Sequence, residues 1–200
     1  MRTLTAVSLL VLLAACGDGF HNQPLGRAEL RGRVVGADPA VASVSVLPGD
    51  AASADGGVGA APLATVGVDA EGRFVVPDVP ATRVTLYVVG SPSQALYLTV
   101  DLQPAQVTDV GDVTLQSAAS LTVVVRDDAG RLLPGAEVDV DGTPFGRQTT
   151  DTAGSALFSP VAAACYRIRV RAEGFLDAEL SRCVSTGEAV QVDVTLQPKR

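Results

Sequence analysis

The chain has 200 residues, a formal net charge of −7, one lysine (Lys199) and one histidine (His21). An acid excess with so few lysines excludes nucleic acid as a partner, because phosphate contacts need patches of Lys and Arg. The lone histidine excludes Ser-His-Asp and Cys-His triads and any multi-histidine metal site. Gly (20) and Pro (12) are scattered along the chain, Trp is absent and aromatics make up 4%. That profile predicts an all-β chain with many turns, whose core is built from Val, Leu and Ile.

The first segment is apolar from residue 4 to residue 15, with Thr5 and Ser8 as the exceptions, behind a positive Arg2. It has the form of a signal-peptide h-region with a small-residue exit at Ala14 and Ala15. A transmembrane helix needs about 20 apolar residues, and this stretch is too short. Its end, Leu13-Ala14-Ala15-Cys16, resembles the lipobox of bacterial lipoproteins. The resemblance implies that residues 1–15 are removed and that Cys16 becomes an acylated N-terminus. It also implies a site outside the cytoplasm on a bacterial membrane, the outer membrane in a Gram-negative cell. A plain signal peptide cut near Ala15 is the alternative. Stable anchoring takes about two acyl chains, and the multiple acylation that the resemblance implies meets that need. Residues 16–27 read as a polar, flexible tether.

Beyond the tether the chain repeats itself. Val68-Asp69-Ala70-Glu71-Gly72-Arg73-Phe74 matches Thr150-Asp151-Thr152-Ala153-Gly154-Ser155-Ala156, and each copy ends on Asp-Val-Thr-Leu-Gln, at residues 112–116 and 193–197. We therefore expect two tandem domains, 28–116 and 119–198, joined rigidly at Ser117-Ala118-Ala119-Ser120. Each is expected to be an antiparallel, seven-stranded β-sandwich. Tyr166, Ile168 and Val170 alternate with Arg167, Arg169 and Arg171, so one face of that strand enters the core and the arginine face meets water. The Asp-x-x-Gly of each copy suits a tight turn, with Asp accepting local amides and Gly at positive φ. Residues 49–62 form an Ala/Gly-rich insertion found only in the first copy; it reads as a tolerated loop, with a partner-binding loop as the alternative.

Two cysteines remain after Cys16. Segments 165–170 and 179–184 read as a hairpin folded about Gly174, which sets Cys165 opposite Cys183. Directly opposed positions in an antiparallel pair can bridge, so a disulfide is expected. A metal pair and free thiols are the alternatives, although two cysteines without a nearby histidine make a poor zinc site.

The second copy carries Val125-Arg126-Asp127-Asp128-Ala129-Gly130-Arg131-Leu132-Leu133-Pro134-Gly135-Ala136-Glu137-Val138, then residues 150–154, Tyr166 and Glu173-Gly174-Phe175. This resembles the carboxypeptidase regulatory-like domain, a transthyretin-like β-sandwich. The resemblance implies a non-catalytic accessory or binding module. The first copy fits less well: Ala37-Asp38-Pro39-Ala40-Val41 replaces the Pro-Leu-x-Gly-Ala turn. The second departs at Ala156, where the family usually has an aromatic residue.

No further chemistry assembles. Asn22 and Lys199 are the only residues of their types, so the Lys–Asn isopeptide crosslink of some surface sandwiches is unavailable. The histidine of transthyretin-like hydrolases acting on purine breakdown products is also missing. Asp127-Asp128, Asp139/Asp141 and Asp109/Asp112 could offer oxygens to Ca²⁺, but a calcium loop starting at Asp139 would need Glu where Thr150 stands. No catalytic, cofactor or metal residue is assigned. The expected function is a lipid-anchored, non-enzymatic binding module at the cell envelope, with a protein or glycan partner and the membrane as its anchor. A structural stalk is the alternative, and a hydrolase with an unrecognised site the least favoured. A binding module should show a patch of clustered polar and aromatic groups. A stalk should instead hold its two halves rigidly together.

Overall fold

The structure is a computed structural model that describes residues 26–49 and 61–200. The signal segment 1–15, Cys16, His21 and nearly all of the 49–62 insertion lie outside the described residues. Among the described residues there are fifteen strands and no helix. The all-β expectation holds.

Seven strands form the N-terminal sandwich: β1 (Arg27–Val35), β2 (Ser43–Pro48), β3 (Ala64–Gly67), β4 (Arg73–Pro80), β5 (Arg83–Ser91), β6 (Gln94–Asp101) and β7 (Val107–Thr114). A short β8 (Gln116–Ser117) follows. Seven more form the C-terminal sandwich: β9 (Ala119–Asp127), β10 (Glu137–Asp141), β11 (Gln148–Thr149), β12 (Ser155–Val161), β13 (Ala164–Arg171), β14 (Ala178–Val184) and β15 (Ala189–Leu196). The sheets are β4-β1-β7 and β3-β2-β5-β6-β8 in the first, β12-β9-β15 and β11-β10-β13-β14 in the second. The strand order is thus the same in both, with β8 added to the larger sheet of the first. Arg27 already belongs to β1 and the Ala81 amide donates to the Gly26 carbonyl at 2.6 Å, so the tether ends earlier than its length suggests.

The antiparallel expectation needs one correction. β1 pairs with β7, and β9 with β15, in parallel. The reason is parity. Each connection reverses the chain, and six reversals return the seventh strand to the direction of the first. β1 and β4, or β2 and β5, are three reversals apart and pair antiparallel.

Period-two patterning builds the cores. Ala119, Leu121, Val123 and Val125 of β9 and Val190, Val192, Val194 and Leu196 of β15 all point inward and are buried. The Asp-x-x-Gly turns are near copies. Asp69 Oδ1 accepts the amides of Glu71 and Arg73 (3.0 and 2.7 Å), and Asp151 Oδ1 those of Ala153 and Ser155 (2.8 and 2.9 Å). Gly154 has φ 62°, and a Cβ there would stand 2.8 Å from the Val125 carbonyl oxygen, so the turn requires glycine. Asp127-Asp128-Ala129-Gly130 makes the same turn a third time, with Oδ1 of Asp127 accepting the amides of Ala129 and Arg131.

The aromatic missing at Ala156 has moved rather than vanished. Phe74 and Val76 of β4 correspond to Ala156 and Phe158 of β12. Residues i and i+2 of a strand share a face, so Phe158 is fully buried on the face Ala156 also lines. The ring has shifted one pleat toward the β12–β13 turn.

The β13–β14 hairpin folds about Gly174 in the expected register, from Ala164↔Val184 through Cys165↔Cys183 to Val170↔Ala178. Cys165 and Cys183 form a disulfide, 18 residues apart. Closing a loop of that size contributes about 3 kcal/mol in the chain-entropy model. A Cys165→Ala/Cys183→Ala double variant is therefore expected to lose about 2–4 kcal/mol of stability in urea titration, with the slope showing whether the denatured state expands.

Candidate functional site

Among the described residues, three places gather polar or aromatic side chains. The first is the outer face of sheet β11-β10-β13-β14, which carries Arg167, Arg169 and Arg171. Sequence predicts a solvated arginine face, and the structure corrects this. Arg167 and Arg169 side chains are only 14% and 11% exposed. The cause is the neighbouring strands. β10 sets Asp139 opposite Arg169 and Asp141 opposite Arg167, and β14 sets Glu179 opposite Arg169. Arg169 Nη2 lies 2.8 Å from Asp141 Oδ2, and Glu179 spans Arg167 and Arg169 at 3.2 and 3.3 Å. Arg171 meets Asp177 at 3.1 Å. Arg147, reaching back from the β10–β11 loop, grips Asp139 with two nitrogens (3.1 and 3.0 Å) and Glu137 with a third at 2.7 Å. Asp139 above all holds the Arg147 pKa above its ordinary value.

Apart from Asp128, the carboxylates considered for calcium are committed in the same way. Asp139 and Asp141 face arginines. Asp127 caps its turn and meets Arg131 Nε at 2.7 Å; the Arg131 amide, more than its guanidinium, holds the carboxyl below the usual carboxylate range. Asp109 and Asp112 pair with Arg31 and Arg33 at 3.0 and 3.1 Å. Among the described residues no group of three or more His, Cys, Asp and Glu side chains could hold a metal ion. Cys165 and Cys183 are consumed by their disulfide, on the same exposed face as the arginine network.

The second place is the outer face of β4-β1-β7. Arg31, Arg33 and Arg73 line an open hollow of about 420 Å³ with Val75, Asp109 and Asp112 on its rim. Arg33 stands directly opposite Arg73 across β1 and β4. Like charges directly opposed in an antiparallel pair are destabilising. The corresponding pair in the C-terminal sandwich is Val124 and Ser155. The charge cluster therefore belongs to the N-terminal sandwich and not to the shared fold. Sequence reasoning missed it, because only the strand register brings residues 33 and 73 together.

The third place is the joint. β5 is buried on both faces from Val84 to Val88. Val84, Leu86 and Val88 pack in the N-terminal core, whereas Tyr87 belongs to the core of the C-terminal sandwich, together with Leu47 and Ala95. Tyr87 Oη donates to the Pro160 carbonyl at 3.0 Å and accepts the Ala162 amide at 2.9 Å. Tyr166 Oη donates to the Ala162 carbonyl at 2.7 Å. The rings of Tyr87 and Phe145 meet edge to face at 6.0 Å, those of Tyr97 and Tyr166 at 6.2 Å, and Phe145 leans on Phe158 at 6.3 Å. All three tyrosines of the chain are thus spent here. The backbone adds staples: Ala118 to Ser93 and Gly187 to Ser117 at 2.8 and 3.0 Å. A usable signal was present in the sequence. The run Val84-Thr85-Leu86-Tyr87-Val88 lacks clean alternation, as expected of a strand covered on both faces.

Comparison with known proteins bears on the second sandwich. Residues 120–197 match the carboxypeptidase regulatory-like domain. No curated protein matches the chain. Among solved structures, the TIE protein of Bacillus anthracis is similar at 13% identity and TM-score 0.39, over 88% of this chain and 34% of that one. This chain thus spans about a third of the TIE protein's length. The minor pilin of Streptococcus agalactiae is similar at 12% identity and TM-score 0.39, over 86% of this chain and 97% of that one. The shaft pilin of Lactobacillus rhamnosus GG is similar at 11% identity and TM-score 0.37, over 88% and 98%.

Burial raises the Tyr87 pKa from 10.0 to about 12, a rise that the Ala162 amide only partly offsets. Tyr166 is also raised, first by burial and then by Tyr87. A tyrosine whose folded pKa is raised keeps a proton that the unfolded chain releases, so stability is full below the unfolded value and lost as pH climbs through the folded one. The denaturation midpoint is expected to fall from about pH 10 to about pH 12, and Tyr87→Phe should flatten part of that fall. At neutral pH the same variant leaves the Ala162 amide and Pro160 carbonyl without their partner, at a cost of about 1–3 kcal/mol. Calorimetry of Tyr87→Phe should resolve two transitions where the parent chain shows one; a single unchanged transition would show that the halves do not depend on this contact.

Proposed function

We propose that the chain is a lipid-anchored, extracytoplasmic, non-enzymatic module of the cell envelope. Cys16 carries the anchor. Residues 28–116 and 119–198 are tandem carboxypeptidase regulatory-like domains, the first of them divergent. Their work is to hold a protein or carbohydrate partner at a fixed distance from the membrane. The observation that carries this reading is the joint. Tyrosines that could have formed a sugar or peptide platform pack where the two halves meet instead, Tyr87 and Tyr166 buried and Tyr97 half-buried, as a spacer requires. The exposed Cys165–Cys183 disulfide supports an oxidising compartment. The pairing of Asp109, Asp112, Asp127, Asp139 and Asp141 with arginines supports a non-catalytic role.

A second reading, direct binding, is favoured by the hollow at Arg31, Arg33 and Arg73. Guanidinium groups set side by side suit a carboxylate or other planar anion.

Fractionation tests the anchor. The parent chain is expected in the membrane fraction and Cys16→Ala in the soluble fraction, with the mass of the membrane form raised by its acyl groups. Equal partitioning with an unmodified mass would refute the anchor. Affinity capture from native envelope, against the Cys16→Ala control, then separates the roles. Enrichment of a glycan or protein that Arg33→Ala abolishes supports binding through the hollow; enrichment that survives it supports spacing.

A further inference from the structure

We infer that the chain is built to carry tension along its length, through a mechanical clamp in each sandwich. The clamp is the parallel pairing of first and last strands. β1 lies beside β7 over Glu29↔Val107 to Val35↔Thr114, and β9 beside β15 over Ser120↔Ala189 to Asp127↔Leu196. Both β7 and β15 are edge strands, each hydrogen-bonded in its sheet to that one partner.

Consider a load that enters before β1 and leaves after β15. It pulls the start of β1 one way and the end of β7 the other. Because the two strands are parallel, they must slide past each other along their length. The ladder bonds lie across the strands, so all of them share the load and must fail together. Were the strands antiparallel, those same two ends would lie side by side and the ladder would open one bond at a time. The geometry recurs at β9 and β15. The direction of the load therefore coincides with the strong direction of both sandwiches.

The remaining links in the series are reinforced as well. The 115–118 connection pairs as β8 with β6 and is stapled to Ser93 and to Gly187. The aromatic joint lies beside it. The two clamps are not equal. The β1–β7 register shifts between Arg31 and Arg33, whereas β9–β15 runs through eight consecutive partners without a shift. A bulge disrupts the ladder locally, so the C-terminal clamp is the stronger one.

The inference rests on the anchored-spacer reading only for the source of the load; the clamp is a property of the fold. Single-molecule pulling on the full chain tests it without a membrane. Handles at Cys16 and Arg200→Cys load the clamps in shear. Handles at Ser117→Cys and Thr186→Cys, on a Cys16→Ala background, hold the same ends of β9 and β15 and peel them apart. Forced unfolding reports the unfolding rate under load. The terminal geometry is expected to need several-fold more force than the peeling geometry, in variants whose thermal melts match the parent. Equal forces in the two geometries would overturn the clamp. The disulfide identifies the step. Reducing Cys165–Cys183, 18 residues apart, should lengthen the C-terminal step by about 60 Å, at ~3.3–3.6 Å per residue. That lengthened step should be the later, higher-force one; the reverse order would overturn the greater strength assigned to the uninterrupted register. Failure of these results leaves the fractionation outcome for Cys16 standing, and the converse also holds.

Discussion

The Tyr87 hydroxyl is the contact on which the arrangement of this molecule turns. It rises from a strand in the middle of one sandwich and closes hydrogen bonds with the β12–β13 turn of the other. A strand covered on both faces has no solvent side. The part of the N-terminal sheet's outer surface around Leu47, Tyr87 and Ala95 is therefore interior to the molecule, and the two sandwiches share one apolar cluster across the chain's midpoint. The scarcity of aromatics sharpens this. A chain with three tyrosines places each of them at one boundary, where a large ring gives contact area and the hydroxyls of Tyr87 and Tyr166 satisfy backbone groups of the β12–β13 turn.

Much of this was legible in the sequence, and the reasons differ by feature. The disulfide was readable because a hairpin register is arithmetic: fixing the turn at Gly174 fixes the partner of Cys165. The Asp-x-x-Gly turns were readable because they are local, and the Asp-accepting, Gly-turning geometry needs no neighbour. What escaped is what depends on non-adjacent strands. Arg167, Arg169 and Arg171 alternate cleanly, and alternation says which face they share but not that β10 lies beside them with Asp139 and Asp141. Arg33 and Arg73 are forty residues apart in sequence and meet only through pairing. The parallel first and last strands follow from counting reversals, but only once the sheet order is known.

The charges show the same economy. A net charge of −7 suggests a surface of free carboxylates. Asp139, Asp141 and Asp127 are instead buried against arginines, and Asp101 pairs with both ends of the Arg83 fork at 2.8 and 3.1 Å. Exposed pairs such as Arg83–Asp101 contribute little stability. Their effect here is chemical: a carboxylate held by a guanidinium is a poor base and a poor metal ligand. Arg73, in a hollow where three arginines meet two acids, breaks that pattern.

The displaced phenylalanine of β12 has a consequence for modularity. Ring for ring, the N-terminal sandwich keeps Phe74 deep in its own core, whereas its counterpart places Phe158 one pleat along, where it supports Phe145 and, through it, Tyr87. Two units with the same strand order have thereby become complementary parts. A tandem of two first halves would have Val76 where the supporting ring is needed. A tandem of two second halves would have no tyrosine corresponding to Tyr87, since Arg169 stands at that point of the repeat. The order of the halves is written into their interiors, and neither can be duplicated, exchanged or appended to a third without redrawing the surface where they meet.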